Sequence, residues 1–503
     1  MSLAATTPTT PPTTAETPPR IDPNAIDALT RDNAIQHQVV PTSISGDSLT
    51  VLTSEPRNLR KITALENVTR RRITPQYATP TQITELIQQH YPESGQGLRL
   101  DEESGNEAPA EQTETVDEVD SAAVHNINTL IAKALEQRAS DIHIETGEGD
   151  VSVRYRIDGR LLPTATLPAR MARSLVARVK VLAGLDIAER RLPQDGRIAF
   201  RWDGKNADLR VSTSPTIYGE RVVMRVLQKA RALVEIEQLN FSSRNLDTFK
   251  NLIHNPYGMF LITGPTGSGK SYTLFSVLKR LSQPEVNIMT IEDPVEYELP
   301  GVNQAQLNER AGFTFDTALR AYLRQDPDII MVGEIRDTQT ARTATEAALT
   351  GHLLLATVHT NDAASAPGRL IKMGVESYNL AASLLGVLAQ RLVRRVCPHC
   401  TTEQAPNPHT LKRLRLDLDP NTRLKVGRGC DKCNHTGYYG RLAIHELMSI
   451  TPQIEDGIGE NATTQELREL ALQDGMSTLR QDGVEKALAG LTTLEEVLAT
   501  TLE

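Results

Sequence analysis

The sequence predicts an α/β protein of several domains, on three observations. The chain has 503 residues, more than one hydrophobic core serves at roughly 150 residues per domain. Between Asn251 and about Gln390, short apolar runs alternate with helical segments, the pattern of a parallel sheet covered on both faces. Ahead of that stretch, alternating apolar and polar segments follow a helical stripe, which reads as a separate α+β domain.

Composition narrows the class. There are 54 basic and 63 acidic residues, a formal charge of −9, where a nucleic-acid-coated domain leans basic. One Trp, 11 Tyr and 7 Phe leave few platforms for stacking bases. No apolar run reaches the roughly 18 residues of a membrane span, and no charged-then-apolar leader opens the chain. The four cysteines fall in one short region, unlike a secreted disulfide scaffold. The expectation is a soluble, multidomain, cytosolic protein.

Taken in order, residues 1–20 are mostly Thr and Pro with little to bury, and read as a disordered tail. A small domain follows over 21–100, with a strand at Asp47–Thr53 and a helix at Pro80–Tyr91 carrying Ile83, Leu86 and Ile87 on one side. Residues 101–120 hold nine carboxylates and no Lys or Arg, so self-repulsion predicts an extended linker. Those nine equal the whole formal charge, which leaves the rest of the chain nearly neutral. A second domain spans 121–235, opened by the stripe Ile127, Leu130, Ile131, Ala134 and Leu135. Strands at Ser140–Glu145 and Val151–Ile157 lead to the turn pair Asp158-Gly159, and further strands are expected at Asp208–Thr213 and Arg221–Leu227. A third, α/β domain covers 236–395, a cysteine-bearing module 396–440, and a helical end 441–503. In that end Thr463–Glu466 and Thr493–Glu496 fit capping boxes and Gly490 fits a helix stop.

Gly264, Pro265, Thr266, Gly267, Ser268, Gly269, Lys270 and Ser271 match GxxxxGK[ST], with an apolar strand (Met259–Thr263) before and a helix (Tyr272–Leu281) after. The glycines let backbone N–H groups approach phosphate oxygens at a helix N-terminus. Lys270 is then placed for the β- and γ-phosphates and Ser271 for Mg²⁺. The apolar run Ile329–Val332 reads as a buried strand delivering Glu334 to the ligand edge of the sheet. An Asp usually ends such a strand; Gly333 stands there instead, so Glu334 is the candidate water-polarising base or metal support. Glu292, Asp293 and Glu296 follow a further apolar strand, and His359 closes another. Arg320, Arg324, Arg336 and Arg369 cluster in the same stretch. They are either solvated surface groups or cations for transition-state charge, often supplied across a subunit boundary.

Cys397-Pro-His-Cys400 and Cys430-Asp-Lys-Cys433 form paired CxxC turns that consume every cysteine of the chain. Four thiolates close a tetrahedral Zn²⁺ site and leave no open position for catalysis, so the expected role is structural.

These blocks together resemble the secretion ATPase superfamily, in particular its type II secretion branch, over roughly residues 124–503. The blocks are ASDIHIE, RYRIDGRL, GERVVMR, GPTGSGKS, IEDPVEY, LRQDPDIIMVGEIRD, GHLLLATVHTN, AQRLVRRVCPHC and GRLAIHEL. The resemblance implies a RecA-like motor domain preceded by a PAS-like domain, assembled as a homo-hexamer. It makes the Gly333-Glu334 ending ordinary, and assigns catalytic or nucleotide-contacting roles to Glu296, His359, Arg210 and Arg225, with Arg320, Arg324, Arg336 and Arg369 at the ATP site or subunit contacts. It also implies ATP, Mg²⁺ and Zn²⁺ as ligands. Expected partners are an inner-membrane platform protein of the GspL type, docked by the N-terminal domain, and a polytopic one of the GspF type. The location implied is cytoplasmic and membrane-peripheral. The expected activity is ATP hydrolysis driving pseudopilus assembly and export. A type IV pilus extension ATPase is the nearest rival. A RecA-type nucleic-acid motor and a non-catalytic ATP-bound scaffold are the others, and no strand-binding face supports the former.

Overall fold

The computed structural model describes residues 21–26, 28–29, 33–34, 37–46, 48–56, 58–69, 71–79, 82–83, 86–87, 116–202, 205–227 and 234–501. The Thr/Pro tail and residues 101–115 of the acidic stretch lie outside them. Two compact units divide the chain, Met1–Gln112 and Thr113–Glu503.

In the first unit β1 (Val39–Ser45) pairs antiparallel with β2 (Ser48–Thr53), and β2 pairs parallel with β3 (Arg72–Tyr77). A parallel neighbour needs a crossover, which the helix Leu59–Thr69 supplies. Leu49, Val51, Leu65, Ile73, Ile83 and Ile87 form its core. Residues 82–83 and 86–87 of the expected Pro80–Tyr91 helix are helical, and its remaining residues fall outside the described set.

The second unit opens with a helix, Val116–Glu136. It begins inside the stretch expected to be an extended linker, so the last five acidic-linker residues are helical. Six antiparallel strands follow in the order β6-β5-β4-β9-β8-β7. Their ranges are β4 Asp141–Thr146, β5 Asp150–Ile157, β6 Arg160–Pro168, β7 Gln194–Trp202, β8 Lys205–Thr216 and β9 Gly219–Leu227. Burial alternates along β5 and β9, so one face packs on the helices Val116–Glu136 and Ala172–Ala183. The Tyr155 hydroxyl donates to the Leu130 carbonyl at 2.6 Å, fixing sheet to helix. Lys180, 1% exposed, lies 2.5 Å from Glu220, a buried ion pair beneath the same sheet.

Seven strands make the second sheet, in the order β12-β11-β13-β14-β10-β15-β18. They are β10 Gly258–Thr263, β11 Ile288–Glu292, β12 Asn303–Gln306, β13 Ile329–Val332, β14 Leu353–Val358, β15 Leu384–Val396 and β18 Tyr438–Ser449. Every residue of β10, β11, β13 and β14 is buried, as a parallel sheet covered on both faces requires. Two findings differ from expectation. β18 pairs antiparallel with β15, so the sheet is mixed. And residues 441–447, expected in the helical end, are strand, with Leu442 to Met448 all buried. The remaining end is helical: Thr463 closes a capping box with Glu466, and Gly490, at φ 76°, follows the helix Leu479–Leu488. A short ladder of β16 (Thr401–Gln404) and β17 (Leu424–Gly427) spans the cysteine region.

The β5–β6 hairpin touches that region. Asp158 accepts from the Gly440 amide at 2.9 Å, Arg160 lies 3.6 Å from Glu496, and Arg138 sits over the Tyr439 ring at 3.6 Å.

Candidate functional site

The phosphate loop runs from the end of β10 into the helix Lys270–Leu281, whose N-cap is Gly269 in a left-handed conformation. Gly267 has φ 80° and open space where a side chain would stand. Pro265, Thr266 and Gly267 are exposed, whereas Ser268 is buried and its hydroxyl has no hydrogen-bond partner among the described residues. An orphaned hydroxyl beside bare amides at a helix N-terminus fits a phosphate guest.

Neighbouring strands deliver the other groups. The Gly333 amide donates to Ile291 O at 2.8 Å, and a Cβ there would stand 3.2 Å from that oxygen. A side chain at 333 would therefore press on β11. Thr357 donates its hydroxyl to Gly333 O at 2.6 Å, which fixes the turn that aims Glu334. Glu334 Oε1 lies 3.1 Å from His359 Nε2, and the other ring nitrogen, Nδ1, is 3.1 Å from Gly264 O. Arg336 donates to Glu334 at 2.9 Å and to Asp293 at 3.2 Å. Lys270 Nζ donates to the carbonyls of Gly264 and Pro265 at 2.7 and 3.2 Å. Burial brings the Lys270 ammonium down to about 8, opposed by the Glu334 carboxylate and assisted by the Arg391 charge. Lys270, Glu334, His359, Arg336 and Asp293 are thus gathered around one loop.

Other expected residues stand elsewhere. Arg320 pairs with Asp316 on its own helix at 3.0 Å and Arg324 donates to Arg320 O at 2.7 Å. Arg369 is exposed on the helix Ser365–Lys372. None of these three bonds to residues 264–271 among the described residues. Glu296 is exposed, while Glu292 is 3% exposed and accepts from Thr290 and Gln304 at 2.7 and 2.9 Å. Burial raises the Glu292 carboxyl, and the Glu296 charge adds to the rise against those two bonds.

Arg210 and Arg225 lie on the open face of the six-stranded sheet. The register sets Arg197, Arg210 and Arg225 side by side on β7, β8 and β9, followed by Asp141 on β4 and Arg156 on β5. Asp141 engages Arg225 at 3.1 Å and Arg156 at 3.6 Å, and the buried Arg210 Nε has no partner among the described residues. Arg197 and Arg156 in this row were not singled out from sequence; cross-strand register, which the sequence does not print, is the signal that finds them.

The four cysteine sulfurs lie within 4.8 Å of one another. Three pairs measure 4.0, 3.9 and 3.7 Å. A tetrahedron with Zn–S of about 2.3 Å sets sulfurs about 3.8 Å apart, so the donor set fits zinc. The Gly429 and Cys430 amides donate to Cys400 and Cys433 at 3.3 and 3.2 Å, the support a thiolate needs.

Comparison with known proteins agrees with this geometry. The type II/IV secretion system protein family matches residues 117–499, and the MshEN domain family matches residues 12–97. The type IV pilus assembly ATPase PilB of Thermus thermophilus is 50% identical over 97% of this chain, which spans 56% of that relative's length. Type II secretion system protein E of Pectobacterium carotovorum is 46% identical over 83% of this chain and 85% of its own. Among solved structures, the pilus retraction motor PilT with bound ADP covers 75% of this chain and 97% of its own at 27% identity and a TM-score of 0.50.

Proposed function

The chain belongs to the type II/IV secretion system protein family, as an ATPase of the GspE/PilB type, and we propose that it is the ATP-hydrolysing motor of a type II secretion system. Hydrolysis is coupled to pseudopilus assembly and so to export of folded proteins. The observation that carries the ATPase reading is the convergence of Lys270, Glu334 and His359 on one phosphate loop, and the likeness to type II secretion system protein E supports the secretion role.

Water attacks the γ-phosphate in line. Loop amides and Lys270 hold the phosphates, and Glu334 orients and polarises the water. His359, bridged between Glu334 and Gly264 O, reports the γ-position to the loop. Ser271 would hold Mg²⁺, which when bound neutralises charge across the phosphate oxygens. Arg336 fixes Glu334 against Asp293, and Glu296 adds negative charge beside the buried Glu292. Arg210 and Arg225 complete the site from a neighbouring copy in a homo-hexamer, while Arg320, Arg324 and Arg369 serve nucleotide or subunit contacts from exposed positions. Cys397, Cys400, Cys430 and Cys433 hold a structural zinc. The first unit docks on a GspL-type inner-membrane protein and the ring on a GspF-type one, keeping the motor at the cytoplasmic face. No helix of the described residues is long and apolar enough to cross a membrane itself.

Purified protein should hydrolyse ATP, and Lys270→Ala should abolish the activity. Retention of wild-type turnover by that variant would remove the assignment. The pilus assembly reading keeps one observation in its favour, since two PilB relatives align over 97% and 96% of this chain, its N-terminal part included. Deleting the gene separates the two: lost export with intact pili supports secretion, and lost pili with intact export supports pilus assembly.

A further inference from the structure

β15 runs parallel to β10, with Ala389 opposite Thr263, so Gln390 comes level with the first residue of the phosphate loop. Its side chain is 1% exposed and bonded through both its nitrogen and its oxygen. Nε2 donates to the Ser268 carbonyl at 2.9 Å, and Oε1 accepts from the Thr273 hydroxyl at 2.8 Å. One carboxamide therefore holds the loop by its backbone and the following helix by its second turn. Thr273 is equally buried, so neither bond competes with water.

The glycines of the loop divide accordingly. A Cβ at Gly264 would stand 2.5 Å from Gln390 O, and one at Gly269 would stand 2.8 Å from Gln390 Nε2. These two glycines are imposed by the chain's own strand. Only Gly267 faces open space, with φ 80°, and is left for the approach of phosphate. The next residue extends the connection: Arg391 donates to Asn361 O at 2.7 Å, two residues beyond His359.

We propose that Gln390 is a positioning residue for nucleotide, locking the phosphate loop onto β15 so that its amides are set before the phosphates arrive. Preorganised amides bind phosphate without an ordering cost, so losing the clamp weakens nucleotide affinity more than it slows chemistry. This inference rests on the ATPase reading above.

The test uses the full-length protein and Mg·ADP, with Kd measured by fluorescence of a labelled ADP, and KM and kcat measured for ATP. Gln390→Glu keeps the shape and the acceptor but removes the donor facing Ser268 O; the uncharged Thr273→Val separates loss of the clamp from the repulsion a new carboxylate exerts on phosphate. It should weaken ADP binding about tenfold, the cost of one unsatisfied buried bond, and raise KM for ATP similarly. The kcat should fall less than about threefold. Thr273→Val should reproduce part of the loss, about three- to fivefold, and Thr273→Ser should restore it. Melting without nucleotide checks the fold; if Gln390→Glu does not fold, the Thr273 pair decides. ADP affinity within twofold of wild type in folded Gln390→Glu, or in Thr273→Val, overturns the proposal. Lys270→Ala keeps the two readings apart. An active Lys270→Ala defeats the ATPase assignment itself, whereas an inactive one beside an unaffected Gln390→Glu defeats only the clamp.

Discussion

The two large sheets of the second unit place their chemistry differently. In the seven-stranded sheet, β10, β11, β13 and β14 are buried on both faces, so only the loops at strand ends are free to react. Gly264–Ser271, Glu334 and His359 all lie there. In the six-stranded sheet one face is core and the other is open, so side chains from the middle of strands carry the charge. Arg197, Arg210 and Arg225 lie there, three strands abreast. A covered sheet makes a site from its edge, and a half-covered one makes it from its face. In the proposed motor, ATP hydrolysis draws on both, one from each of two copies.

Edge substitutions should be the most damaging. Lys270→Ala should lower turnover at least about a thousandfold, and Glu334→Gln at least about a hundredfold with ATP binding retained. Radiolabelled phosphate release set against equilibrium binding measures both. Glu334→Gln that loses binding as well would mean the carboxylate holds nucleotide rather than water.

Face substitutions should act through assembly. Arg210→Ala or Arg225→Ala should lower turnover about ten- to a hundredfold in the oligomer, with ADP affinity of the monomer unchanged within twofold. If monomer affinity falls equally, the arginines act within one copy and the comparison breaks.

The sheets also differ in what a core substitution costs. Leu261→Ala, in a strand fully enclosed on both sides, should destabilise by about 2–5 kcal/mol. Arg197→Ala on the open face should stay within about 0.5 kcal/mol, read by urea denaturation. Between them stands the cysteine module. Chelation, or Cys430→Ser, should release about one zinc per chain and expose the β16–β17 ladder to protease, leaving the phosphate loop intact.

The smallest effect is a pH dependence. The free Lys270 ammonium titrates at about 8 because burial disfavours its charge. Bound phosphates favour the charged form, so its value rises on binding and a proton is taken up. ADP affinity should therefore be level below about pH 8 and fall several-fold toward pH 9. Calorimetry in buffers of different ionisation enthalpy reads the proton uptake, and Lys270→Arg should abolish it.

Edge and face also differ in how far they could be read from the chain. The loop, Glu334 and the two CxxC pairs are local patterns, and the structure puts the loop between β10 and a helix, Glu334 just past β13 and the four sulfurs together. Gln390 could not be read, because it meets Ser268 across 122 positions and only the β10–β15 register brings them together. Arg197 was missed for the same reason. Residues 441–447 fall in the stretch that the sequence reads as a helical end. Burial, a tertiary fact, made them part of β18. The arginines of 320–369 were grouped by nearness in sequence, yet Arg336 alone among them joins Glu334.

In the proposed motor, edge and face from different copies compose one catalytic site. Mixing two inactive proteins tests it directly: Lys270→Ala, whose arginine face is intact, with Arg210→Ala/Arg225→Ala, whose loop is intact. ATPase activity should return on mixing, rising with the fraction of mixed neighbours. Mixtures as inactive as their components, in oligomers shown to contain both, would contradict it.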